Sequence, residues 1–163
     1  MSDEHRRYLL LEQGLGSAVF NFFLNAAIAA ALFYRLDVVP LWGQMSIAGD
    51  TIGTTIILPL LTCLVVTRLA NHRVASGGLP ALGWTRTSHP VLGWLPRATF
   101  PRALAFAAGG LVLLAPISLW ALMALDHGGM RYWPFVLFKA CFAAVAAAVV
   151  TPIVALWAIA ESA

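Results

Sequence analysis

Asp50 and Lys139 are two ionisable side chains that fall inside long apolar runs of this 163-residue sequence. A carboxylate in such a run can bind a cation or take up a proton, and an ammonium can pair with it. Amides and hydroxyls accompany them. Ser17, Asn21 and Asn25 recur at four-residue spacing, and Thr54 follows Asp50 by the same interval. At 100° per residue each set stacks along one side of a helix. Asp50, Lys139, Asn21, Asn25 and Thr54 are therefore the candidates for binding a substrate or ion. The asparagines have a structural alternative, since amides in apolar helices form interhelical hydrogen bonds worth about 0.6–2 kcal/mol each.

Other chemistries find less support. Cys63 and Cys141 lie in different runs without CxxC spacing, and the four histidines lie outside the runs with no HExxH-type pair. No disulfide relay, haem or metal site is indicated, and no cofactor motif occurs. An intramembrane enzyme would need a nucleophile with a positioned base, or a metal set. No catalytic residue is assigned, and the chain is expected not to be an enzyme.

The elements that must position these residues follow from composition. The chain is 61% hydrophobic and 10% charged, with mean hydropathy +0.84. A soluble domain carries about 25% charged residues, so too few charges exist here to cover a water-facing surface. Four apolar runs, about 15–34, 46–67, 103–125 and 134–159, each reach the ~20 residues a helix needs to cross hydrocarbon. The expected fold is all-α, one domain, an integral membrane bundle of four transmembrane helices arranged as two antiparallel hairpins. The N-terminal HRRYLLL with its apolar run resembles a secretory signal. Glu12 and Gln13 interrupt it, and the run continues to Tyr34, so an uncleaved first span is expected.

Arginine counts set the orientation. With the N-terminus inside, the inner ends and loop hold Arg6, Arg7, Arg68, Arg73, Arg86, Arg97 and Arg102, against Arg35 and Arg131 outside. That bias puts both termini in the cytoplasm. The net charge of +3 is then a topology signal and not a nucleic-acid one.

Spans two and four run the same way, and Asp50 and Lys139 fall at nearly the same depth. An ion pair between them would lower the cost of each, which reaches about 2.5–3.5 kcal/mol for an unpaired charge at mid-membrane. Lys139 could instead snorkel to the outer surface. The face of Asp50 also carries Gly49 and Gly53, a GxxxG spacing suited to close helix contact, with Ile52, Ile56 and Pro59 opposite and facing lipid. Ala140, Ala144 and Ala148 form a second small-residue packing face in span four. Gly109 and Gly110 permit close approach in span three.

The connection over 68–102 holds Pro80, Pro90, Pro96 and Pro101, and Leu82-Gly83-Trp84 recurs as Leu92-Gly93-Trp94. Trp84 and Trp94 suit the membrane–water interface, or a partner docked on the loop. Pro40 and Pro59 flank and interrupt span two much as Pro134 and Pro152 do span four, which suggests a parallel repeat of the two hairpins.

Two functions fit. One is a small transporter of a solute or ion, assembled as a homo-oligomer, with its polar site around Asp50. The other is a non-catalytic accessory or structural subunit of a larger membrane complex. Either has the lipid bilayer as partner, and the bacterial inner (cytoplasmic) membrane is the expected location.

Overall fold

The computed structural model describes residues 1–80, 82, 95–125 and 128–161. Four helices are long and apolar enough to cross a bilayer. α1 is continuous over Asp3–Phe33, α2 spans Ile47–Ala75, α3 runs through Thr99–Gly109, Gly110–Leu114 and Ala115–Leu125, and α4 spans Tyr132–Glu161. α1 starts earlier than its apolar run because Ser2 caps it. The Ser2 hydroxyl accepts the backbone N–H of His5, and Asp3 and Glu4 occupy the first turn, where the helix dipole favours negative charge. α2 ends later than expected, so Arg68 to Ala75 are helical and not part of the connection. Trp84 and Trp94 lie outside the described residues.

The connection after α1 contains strand β1 (Val38–Pro40), and the one after α3 contains β2 (Gly129–Arg131). They pair antiparallel with Val39 opposite Met130, so both connections lie at one end of the bundle. A side chain at Gly129 would strike the Val39 carbonyl oxygen at 2.7 Å, so the pairing needs a glycine there.

Consecutive helices were expected to pack as hairpins. Instead α1 packs along α4, α4 along α2, and α2 along α3. The spatial order is α1–α4–α2–α3, and neither hairpin packs along its own length. α4 is the central helix. Half of its most apolar 18-residue window is buried, against 11% for α1 and 22% for α3.

That position explains a shift in its small-residue face. Ala140, Ala143 and Ala147 are wholly buried, while Ala144 and Ala148 are half-buried, because α1 and α2 cover α4 from two sides. Cys63 is buried in the core, whereas Cys141 points outward.

The same helix contact occurs twice. Gly110 opens a π-helical segment of α3 and lies against α2, where an added Cβ would run into the Thr55 carbonyl oxygen and come within 3.0 Å of Pro59 Cγ. Gly14 sits in the π-helical segment Tyr8–Gly16 of α1, 3.7 Å by the same measure from Pro152 Cγ of α4. In each case the first helix of one hairpin packs its widened turn and a glycine on the proline of the other hairpin's second helix. Pro59 is therefore buried against α3, and Ile52 and Ile56 are half-buried. The face expected to meet lipid is a helix interface. The exposed large apolar residues of α2 are Ile57, Leu61, Val65 and Leu69, on the side turned toward α1 and the lipid beyond it.

Candidate functional site: a cleft between the first two long helices

Ser46 fixes the start of α2. Its hydroxyl accepts the Gly49 N–H at 3.1 Å and donates to the Gly43 carbonyl at 2.9 Å. Asp50 is thereby held in the first turn, where the helix dipole favours its charge. The start of α4 is fixed by Tyr132, whose N–H donates to Asp37 O at 3.1 Å and whose hydroxyl donates to Ala30 O at 3.0 Å. Two turns on, Lys139 reaches across and its ammonium donates to Asp50 Oδ1. The two side chains are only 5% and 10% exposed, respectively. Lys139 pairs and does not snorkel.

The pair lines a cavity of about 510 Å³ between α1 and α2, with α4 as its floor. The cleft exists because α1 and α2 each pack on α4 without packing along one another. It runs along α2 from Asp50 to Val66, about 24 Å at 1.5 Å per residue. Its far end is closed where α1 and α2 meet through side chains. There Arg73 donates to Glu12 and lies 5.2 Å above the Tyr8 ring, and Tyr8 and Leu9 share a cluster with Cys63 and Val66.

All five candidate binding residues line this cleft. Asn21 Nδ2 donates to Ser17 O at 2.9 Å and Asn25 Nδ2 to Asn21 O at 3.0 Å. These bonds stay within α1, so the amides do not join helices as the structural alternative required. The carbonyl oxygen of each amide makes no hydrogen bond among the described residues. Thr54 likewise donates within its own helix, to Asp50 O at 2.8 Å. Among the lining residues only Asp50 and Lys139 carry charge.

Among the described residues, neither of two expected packing glycines is pressed against a neighbouring helix. A Cβ at Gly53 would meet nothing within 4 Å, and one at Gly49 would meet first the Ser46 hydroxyl of its own turn. Gly53 lines the cleft and Gly49 is exposed. The close helix approach belongs to Gly110.

Sequence reasoning also missed Thr62 and Thr151, which line the deep half of the cleft with Ser17. Thr151 is 2% exposed and its hydroxyl finds no partner among the described residues. Its usual acceptor in a helix, the carbonyl four residues back, is Ala147 O, which Ser17 Oγ approaches at 3.3 Å. The i−4 relation of Thr151 to an alanine in a small-residue helix was visible in the sequence, but its facing Ser17 was not.

His5 is one of the four histidines outside the apolar runs. It is buried, its Nδ1 lies 2.7 Å from the Ser2 hydroxyl, and its Nε2 lies 2.7 Å from the Pro80 carbonyl. It ties the start of α1 to the turn after α2. No group of three or more metal-ligating side chains occurs among the described residues. No protein-family model matches the chain, and no curated protein or solved structure is significantly similar to it.

Proposed function

We propose that this chain is an integral membrane carrier of a small solute, and that the cleft around Asp50 and Lys139 is its binding site. One observation carries the reading: a nearly buried ion pair and two under-used amides line a side-opening cleft of about 510 Å³, within the ~300–1,000 Å³ of small-molecule sites. Helix packing alone needs no such cleft. The ion pair that lines it gives a carboxylate and an ammonium to which a solute's polar group can hydrogen-bond during a change of access.

The arginine bias supports an orientation with both termini in the cytoplasm, in the inner membrane of a bacterium. Exposed Tyr34, Trp42, Trp120 and Trp133 cluster towards the strand end and suit the opposite, outer interface. A homodimer or larger assembly would supply the second wall that four helices lack.

The accessory-subunit reading is favoured by the low burial of α1, whose apolar side would suit a partner's helix. Native mass spectrometry of the protein extracted gently from its own membrane separates the two. A monomer or homo-oligomer carrying a small bound molecule supports the carrier. A fixed complex with larger membrane subunits, and no small molecule, overturns it.

A further inference from the structure

We infer that the solute is an electrically neutral single-chain amphiphile, which enters sideways from the bilayer and lies lengthwise in the cleft. The inference rests on reading the cleft as the binding site, and names its substrate class.

Charge is the first argument. Asp50 and Lys139 already neutralise each other, and no other charged residue lines the cleft. A net charge brought into this apolar slot would have no counter-ion, and an uncompensated charge in a low-dielectric site is strongly disfavoured. A solute with no net charge meets no such penalty.

Shape is the second. Leu24, Ile57, Leu58, Leu61 and Val65 make the walls below the pair mostly apolar over the cleft's ~24 Å, with Ser17, Thr62 and Thr151 as separate hydroxyls among them. A compact polar solute would leave that length wet or empty, whereas a hydrocarbon tail would fill it. The opening lies between two helices that do not pack along one another above their far-end contact, so the tail can slide in from the lipid side.

Polar matching is the third. Asn25 is 8% exposed, its amide oxygen makes no hydrogen bond among the described residues, and it lies at the level of Lys139; Asn21 offers the same group one turn deeper. Free acceptors beside an ammonium with unused N–H groups match a head that both donates and accepts, such as a hydroxyl or glyceryl group.

The test uses three probes on the full-length protein in detergent: monoolein (neutral), oleate (anionic) and sphingosine (cationic). Thermal stability and assembly mass are read on the same samples. Saturating monoolein raises Tm by about 5 °C or more, and the other two shift it little. Asn25→Leu abolishes the monoolein shift. It should fold, because the native amide bonds only within its own helix; Asn21→Leu serves as the second variant and reduces the shift. An Asn25-dependent shift with oleate or sphingosine overturns the neutral class and leaves the carrier reading standing. A dimer insensitive to all three probes would mean that a second copy fills the cleft, and no shift in a monomer means that the cleft takes no amphiphile; either overturns the inference.

Discussion

Asp50 and Lys139 pair across α2 and α4, two neighbouring helices that run in the same direction, and protein covers nine-tenths or more of each side chain. Removing one member of such a pair strands the other charge. Asp50→Leu or Lys139→Met alone is expected to cost about 3–5 kcal/mol. The double variant, which buries two apolar side chains instead, recovers most of that loss. Denaturation in detergent, run as a double-mutant cycle, measures the coupling. Additive single losses would contradict the pairing.

The ion pair between Glu12 and Arg73 behaves differently because both side chains are about 45% exposed. Glu12→Gln is expected to cost under about 1 kcal/mol, and less at high salt. Arg73→Ala costs more than Glu12→Gln, since it also removes the guanidinium from the Tyr8 ring. Melting curves at two salt concentrations check both statements.

Gly110 and Gly53 make a matched contrast. A methyl group at Gly110 collides with the backbone of Thr55, so Gly110→Ala forces α3 away from α2 and destabilises by about 1–3 kcal/mol. A methyl at Gly53 meets open space in the cleft. Gly53→Ala leaves stability unchanged or raises it by up to about 1 kcal/mol, through the better helix propensity of alanine. Equal losses at the two positions would show that Gly53 is packed as closely as Gly110, against the open space found beside it.

The spatial order of the helices is open to cross-linking. In a chain with Cys63 and Cys141 replaced by alanine, cysteines at Ser17 and Ala147 should join α1 to α4 under mild oxidation, since Ser17 Oγ lies 3.3 Å from the Ala147 carbonyl. Cysteines at Phe20 and Leu61, on opposite walls of the cleft, should not join within a monomer. The reverse pattern would restore the hairpin arrangement.

Much of the fold was legible because hydrocarbon imposes so strict a demand on length and composition. The four apolar runs, the shared depth of Asp50 and Lys139, and the stripe of Ser17, Asn21 and Asn25 all follow from one-dimensional spacing. The order of packing does not. Which helix lies beside which is decided by surface fit, here by Gly14 on Pro152 and Gly110 on Pro59, and a sequence shows prolines without their partners. The cleft was illegible for the same reason, since it arises where two consecutive helices fail to meet. Thr151 entered the site only once α1 and α4 were known to be neighbours.

The most direct test of the account exchanges the two charges. The Asp50→Lys/Lys139→Asp protein is extracted gently and compared with wild type for Tm and for the small molecule retained in native mass spectrometry. The account predicts that the exchange restores Tm to within about 2–4 °C of wild type, the scale of a 1 kcal/mol difference, while the retained molecule falls at least tenfold. Recovery of both would contradict it, because the pair would then serve only to hold α2 against α4.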